Sequence, residues 1–165
     1  MHEYSTNPEF YKFFEYEPFK TIEETNEYLE KLIKRSSLET GHYWFIRLKR
    51  LNKVIGTFGL ADIDYRKGST EIGYGLSPDY WGQGLFKEVL ITVLEYLFVD
   101  LQFHRVWAKT QSNNIPSVRA LEKVGFTKEG TMRDFYLSIK GKRYNATLLS
   151  ILRNEFYRSS NDKSR

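Results

Sequence analysis

The stretch Glu71-Ile-Gly-Tyr-Gly-Leu-Ser-Pro-Asp-Tyr-Trp-Gly-Gln-Gly-Leu-Phe-Lys87 decides the fold. Ser69 to Leu76 reads as a strand, set off by the turn around Lys67-Gly68. From Gly84 the pattern changes. Leu85, Val89, Leu90, Val93, Leu94 and Leu97 form one stripe, so Gly84 to Val99 reads as a helix. His104 to Thr110 is again β-like. A strand–helix–strand unit over Ser69–Thr110 is expected to be a parallel crossover. A ligand is then expected near the carboxyl end of the strand that feeds it.

Upstream, residues 1–14 read as a short helical start. Thr21-Ile-Glu-Glu24 forms a capping box, followed by Ile22, Thr25, Leu29, Leu32 and Ile33 at helical spacing. Tyr43 to Leu48 and Lys53 to Ala61 read as strands around Asn52. Downstream, Asn114 to Val124 is a short helix with Pro116 in its first turn and Gly125 placed to end it. Thr127 to Ser138 and Lys142 to Leu152 are two strands around Lys140-Gly141. The fold class is therefore α/β of the α+β type. One domain is expected, with a mixed, mostly antiparallel sheet, a central parallel crossover, and helices on both faces. Residues 1–157 are expected to form it, with a disordered tail over 158–165.

Composition supports this. A chain of 165 residues is long enough to bury a core without disulfides or metals. There is no Cys, hence no thiolate metal site and no Cys nucleophile, in keeping with a reducing, cytoplasmic setting. The opening residues, Met1 to Phe10, lack the basic-then-apolar order of a signal peptide. The longest apolar run, Val89 to Val99, is broken by Thr92 and Glu95 and falls short of the roughly 20 residues a bilayer span takes. No membrane partner is expected. The net charge of +4 is mild and fits a mixed solvated surface.

The chemistry centres on the strand–helix junction. Gly82 and Gly84 allow a tight turn and close approach of a ligand. The first N–H groups of the following helix have no intrahelical partner and lie at its positive end. Such a loop can hold a pyrophosphate, or it can simply be a tight turn. Two other phosphate loops are ruled out: G-x-x-x-x-G-K-[ST] is absent, and Lys87 stands where the dinucleotide fingerprint needs a third Gly.

The segment resembles the acyl-CoA pyrophosphate loop of GNAT acetyltransferases, Gln/Arg-x-x-Gly-x-Gly/Ala. Gly84 matches the central Gly, Trp81 stands at the Gln/Arg position and Phe86 at the final small one. Glu71-Ile-Gly-Tyr74, Tyr80-Trp-Gly-Gln-Gly84 and Glu88 resemble the form typical of the ribosomal-protein-alanine N-acetyltransferase-like (Rim type) subgroup. So does a second block, Asn114-Ile-Pro-Ser117-Val-Arg-Ala-Leu-Glu122-Lys123-Val-Gly125-Phe126, with Lys128, Gly130 and Arg133 after it.

This resemblance implies acetyl transfer from acetyl-CoA to a primary amine. It implies that Tyr74, Gly75, Leu76, Gly82, Gln83, Gly84, Leu85, Phe86, Lys87, Asn114 and Ser117 meet acetyl-CoA. Asn114 would bond the pantetheine arm, and Ser117 would lie near the thioester sulfur. Read from the residues alone, Asn114 and Ser117 are equally a helix N-cap and a first-turn hydroxyl. Glu71 is the candidate general base, acting through water; an ordinary strand carboxylate or a substrate-orienting group is the other reading. A backbone N–H around Tyr74–Leu76 would polarise the carbonyl.

Two departures from the family stand out. Leu121 occupies the place of the family's Tyr acid, leaving Ser117 or water to serve the thiolate. The chain also begins in what reads as the first helix, with no preceding strand. A missing, misassigned or dispensable first strand would leave Tyr43–Leu48 an unpaired edge.

His2, His42 and His104 lack metal-ligand spacing, so no metal is expected. Without G-x-S-x-G, no hydrolase elbow is present. The strand aromatics are mainly core, with those near Tyr136 and Tyr144 candidates for the acceptor wall. The acceptor is a protein N-terminus or a small amine such as an amino sugar, a polyamine or an aminoglycoside-like compound. A non-catalytic acyl-CoA sensor is the different-class alternative. A nucleic-acid-binding sheet lacks the expected octapeptide, so no nucleic-acid partner is expected. A monomer or homodimer is expected.

Overall fold

Six strands, β1 (His42–Leu48), β2 (Lys53–Asp64), β3 (Ser69–Leu76), β4 (Arg105–Gln111), β5 (Thr127–Leu137) and β6 (Arg143–Leu152), form one sheet in the order β1-β2-β3-β4-β6-β5. The computed structural model describes residues 1–38 and 41–161. Every neighbouring pair is antiparallel except β3–β4, the two strands joined through helix α3 (Leu85–Glu95). The mixed sheet and its parallel crossover are as the sequence predicts.

Side chains alternate across the sheet and so build two different faces. Phe58, Leu60, Ile72, Val106, Ala108, Leu149 and Ile151 point to one of them. There they meet Leu90, Leu94 and Leu97 of the crossover, Leu121 of helix α4 (Ile115–Glu122) and Phe156 of helix α5 (Arg153–Asn161), all buried. The other face carries Thr57, Glu71, Gly73, Gly75, Trp107 and Lys109. Helix α1 (His2–Ser5) lies over it, because the Tyr4 hydroxyl bonds Thr57 Oγ1 at 2.6 Å. Helix α2 (Ile22–Ser37) packs beside β1, with the expected Thr21 cap accepting from the Glu24 N–H. Among the described residues no helix is long and apolar enough to cross a membrane.

Four local features differ from the expectation. Residues 1–14 hold only one helical turn; tight turns then follow, closing Phe10 N–H on Asn7 O and Tyr11 N–H on Pro8 O. Pro8 has no N–H to donate, and the Asn7 side chain takes the Glu9 N–H instead, so the helix cannot continue. The helix of the crossover does not run unbroken to Val99. Tyr96–Asp100 widens into a π-turn, with Leu101 N–H on Tyr96 O. Helix α5 was not foreseen. It is anchored by Phe156 and continues through Arg158 to Asn161; residues 162–165 lie outside the described range. Finally, β2 bulges between Ala61 and Asp64, with Asp62 at φ 47°, opposite Thr70 and next to the Ala61–Glu71 pair.

The β4–β6–β5 side is clamped by a three-strand contact. Arg105 of β4 reaches across β6 to Glu129 of β5 (2.6 and 2.5 Å), and Ser150 of β6 donates to the same carboxylate at 2.7 Å. The guanidinium, helped by Ser150, holds the Glu129 carboxyl down at about 2. A depressed carboxyl stabilises the fold above its unfolded pKa and loses that contribution as pH falls through its folded one. Glu129 is partly exposed, so the effect is small. Glu129→Gln is expected to lower Tm at neutral pH by about 1–3 °C. In calorimetric scans the difference should shrink as pH falls from the ordinary carboxylate range toward 2.

Candidate active site

The site begins where β3 and β4 stop pairing. Their register runs Ser69↔Arg105, Thr70↔Val106, Glu71↔Trp107 and goes no further. Their outer neighbours continue: β2 follows β3 to Gly56↔Leu76, and β6 follows β4 to Gln111↔Ala146. The two strands therefore part like the arms of a V, with Glu71 at the vertex. On the β4 side, the backbone groups of Ile72–Leu76 have no strand partner. One is satisfied locally: the Trp81 indole N–H donates to Leu76 O at 2.7 Å. Buried backbone groups are rarely left unpaired, so the remainder form a ready edge for an extended polar ligand.

At the open end of the V lies the glycine loop. Gly82 and Gly84 both take left-handed backbone (φ 73° and 78°), and neither has an atom within 4 Å of where a Cβ would stand. Gly84 is the N-cap of α3, and Glu88 N–H makes a helical bond to Gly84 O. The N–H groups of Leu85, Phe86 and Lys87 thus have no earlier helical carbonyl to bind. The side chains of Leu85 and Phe86 turn inward. Leu85 packs against Ile55, Leu76 and Tyr80, and Phe86 lies 4.2 Å from the Tyr74 ring centre. Open space above left-handed glycines, at the positive end of a helix, suits a phosphate group.

The two faces of the sheet bring different chemistry to the V. On the core face, Tyr74 OH and Ser117 Oγ are 2.7 Å apart. Burial pushes the Tyr74 phenol up to about 12, so it stays protonated at neutral pH. Two hydroxyls sharing one hydrogen bond leave one O–H free to donate elsewhere. Asn114 caps α4 by accepting the Ser117 N–H at 3.3 Å, which aims the Ser117 hydroxyl toward β3.

On the other face, Glu71 pairs with Lys109 of β4 at 3.3 Å, both side chains about four-fifths buried. Burial raises the Glu71 carboxyl above its ordinary value, while Lys109 pulls the other way. The Lys109 ammonium also sits over the rings of Trp107 (5.1 Å) and Phe135 (4.8 Å). A double irregularity in β5 around Asp134, whose N–H is held by Asn145 Oδ1, brings Phe135 there.

A family model described as an acetyltransferase (GNAT) domain matches residues 1–127. The chain belongs to the GNAT family. It is 31% identical over 154 residues to the uncharacterized N-acetyltransferase p20 of Bacillus licheniformis, covering 93% of this chain and 86% of that one. It is 22% identical over 160 residues to the spermidine N(1)-acetyltransferase of Vibrio cholerae, covering 97% and 90%. The crystal structure of V. cholerae spermidine N-acetyltransferase in complex with CoA and spermine superposes with a TM-score of 0.80 at 20% identity, over 94% of this chain and 89% of that one. A GCN5-related N-acetyltransferase from Brucella melitensis gives 0.83 at 25% identity, over 94% and 70%. This chain is thus an acetyl-CoA-dependent N-acetyltransferase of mixed α/β architecture.

In this GNAT fold the sequence-predicted residues fall into three places. Gly82, Gln83, Gly84, Leu85, Phe86 and Lys87 form the loop and first helical turn. Tyr74, Gly75 and Leu76 lie on the parted strand, and Asn114 and Ser117 open α4. Trp81 aligns with the loop's Gln/Arg, yet its indole turns back to the Leu76 carbonyl. The Gln83 carboxamide likewise turns back to Asp79 O at 3.0 Å, leaving its backbone for a ligand. Sequence reasoning missed Lys109; the signal was the β4 alternation Trp107, Lys109 opposite Glu71. It also missed the Tyr74–Ser117 bond, which no spacing rule announces. His2 is bonded to Thr25 and His42 to Tyr65.

Pantetheine, which lacks the phosphates, is expected to bind about 10–100-fold more weakly than CoA, the equivalent of roughly 1.5–3 kcal/mol for a charge-assisted contact. Equal calorimetric affinities would remove the phosphate from this loop. Gly84→Val, which places a branched Cβ in left-handed backbone facing the open space, should weaken CoA as well.

Proposed function

We propose that this enzyme moves the acetyl group of acetyl-CoA to a primary amine by direct attack, with residues 1–157 as its catalytic domain. Glu71 acts as general base through water, and Ser117 serves the leaving thiolate. The observation that carries this reading is the vertex of the V. Glu71 stands at the last paired position of β3 on one face, and the Tyr74–Ser117 hydroxyl pair stands on the other.

The chemistry follows from those positions. A carboxyl raised by burial is a stronger base than a free one, and Lys109 keeps it in the ionised form that a base requires. As the nitrogen–carbon bond forms, Glu71 receives the amine proton through a bridging water. As the carbon–sulfur bond breaks, the free O–H of the Tyr74–Ser117 pair donates to the developing thiolate. The proton that Glu71 accepted balances the one the thiol finally carries. Those backbone N–H groups of Tyr74–Leu76 that face the gap, with no partner on the β4 side, polarise the carbonyl oxygen. Leu121, at the place of the family's Tyr acid, is buried in the core, which supports assigning the thiolate to Ser117.

The likeness of Glu71-Ile-Gly-Tyr74 and Tyr80-Trp-Gly-Gln-Gly84 to the ribosomal-protein-alanine subgroup supports an α-amine as acceptor. Near a pKa of 7.7–8.0, about a tenth of such an amine is already neutral at pH 7, so a water-mediated base suffices.

Glu71→Gln is expected to lower kcat by about 10²–10⁴-fold at neutral pH with near-normal acetyl-CoA affinity, and to recover much of that loss at high pH. Ser117→Ala should lose activity without such rescue. Parallel pH–rate profiles for the two, or an undiminished Glu71→Gln enzyme, would sink the assignment. Lys109→Met removes the group that lowers the Glu71 carboxyl. The acid limb of its kcat profile is therefore expected at higher pH than in the wild type; an unmoved limb would separate that limb from Glu71.

A further inference from the structure

Between the N-terminal segment and the β2–β3 part of the sheet lies a cavity of about 170 Å³ that borders Gly73, Tyr74 and Gly75. Its floor is glycine-lined. The rings of Tyr43 and Phe10 lie so close over Gly59 and Gly75 that a Cβ would meet them at 2.6 and 2.5 Å. Gly73, between these two, has nothing within 4 Å. Its walls are rings, among them Tyr11, Phe14, Tyr16, Phe19, Tyr28 and Tyr43, and among the described residues no Asp, Glu, Lys, Arg or His side chain lines it.

The hydroxyls of Tyr16, Tyr28 and Tyr43 have partners. Tyr16 and Tyr28 bond each other, and Tyr43 accepts from Arg35 at 3.3 Å. Burial raises the phenols of Tyr11, Tyr16 and Tyr28, so these three rings stay neutral across the working pH range. Ala61, another wall residue, is paired with Glu71, so the cavity adjoins the proposed base on the same face.

Building on the acetyl-transfer reading above, we infer that this cavity takes the body of the acceptor, and that this body is an aromatic group. The acceptor class is a primary amine one or two carbons from an aromatic ring, with its only positive charge at the reacting nitrogen. Three observations converge. A volume near that of the ~150 Å³ cavities that take benzene fits one ring. Walls of ring faces attract an aromatic body and tolerate a single ammonium over them. With no carboxylate among the described lining residues and Glu71 alone adjoining the cavity, the further ammonium groups of a polyamine find no partners there, and burying an unpaired charge is costly.

Two sources supply this chemistry, a free arylalkylamine and a peptide with an N-terminal aromatic residue. The test measures thiol release from acetyl-CoA with 2-phenylethylamine, a Phe-Ala-Ala peptide, a Gly-Ala-Ala peptide, spermidine and glucosamine, beside calorimetric binding of 2-phenylethylamine to the CoA-loaded enzyme. The expected order places an aromatic amine first, with kcat/KM at least tenfold above spermidine and glucosamine; the two aromatic arms show which source is used. Gly73→Leu, which fills the open floor, should raise KM for the aromatic amine about tenfold or more, well beyond any accompanying change in CoA affinity. Spermidine or glucosamine equal to or better than the aromatic amines would overturn the inference and leave acetyl transfer standing. Binding of 2-phenylethylamine, weakened by Gly73→Leu, with no acetylation of any amine would sink the catalytic reading and keep the cavity's ligand class. No binding and no turnover of the aromatic amines overturns the inference.

Discussion

Three paired residues followed by a parting: this constraint on β3 and β4 organises everything else. A parallel pair in the middle of a sheet would normally keep its ladder, because an unpaired backbone is costly away from water. Here the ladder ends at Glu71↔Trp107 while β2 and β6 hold the outer sides of both strands. The sheet therefore stays rigid on either side of a gap. Bulges at Ala61/Asp64 in β2 and around Asp134 in β5 add local twist near that gap. The Arg105–Glu129–Ser150 contact holds the β4–β6–β5 half together.

The gap joins two chemically different faces. The apolar face supplies a protonated phenol and a serine hydroxyl, both fixed by packing and capping. The opposite face supplies a carboxylate tempered by a lysine, next to a ring-lined cavity. Neither face could hold both sets. A carboxylate among Phe58, Leu90 and Leu94 would lack any charged partner, and a hydroxyl pair in the open would compete with water. Alternation along one strand, Glu71 outward and Tyr74 inward, places a carboxylate and a hydroxyl pair on opposite sides of the same slot.

The crossover and the glycine loop were legible in the sequence because each rests on local rules. An apolar stripe after a strand gives the helix, and Gly82 and Gly84 give the left-handed turn. The antiparallel hairpins, the Thr21 cap and the Asn114 cap followed from spacing in the same way. What escaped depends on partners distant in the chain. Trp81 aligns as a phosphate-loop residue, but its direction depends on a strand carbonyl that the parted ladder leaves free. Lys109 reaches Glu71 only through the parallel register, which no local pattern specifies. The Tyr74–Ser117 bond joins residues 43 apart. Helix α5 looks polar and short in sequence, and only Phe156 reaching the core explains it. The ring cavity escaped because Phe10, Tyr11, Phe14, Tyr16 and Phe19 come from turns and irregular segments rather than from a periodic element.

The segment that walls this cavity is fastened lightly to the β4–β5 side. Phe13 O accepts from the Gln111 side chain, and the Glu15 carboxylate accepts the Leu137 N–H. Neither bond belongs to a sheet ladder, so the segment can be rewritten without disturbing a strand register. The cavity walls contributed by this segment and α2 precede β1 in the chain, whereas the glycine loop and the Asn114–Ser117 turn lie between β3 and β5. On the reading proposed above, the walls that meet the acceptor and the loop that meets the acetyl donor therefore draw largely on separate stretches of the chain. The first can vary in sequence without altering the second.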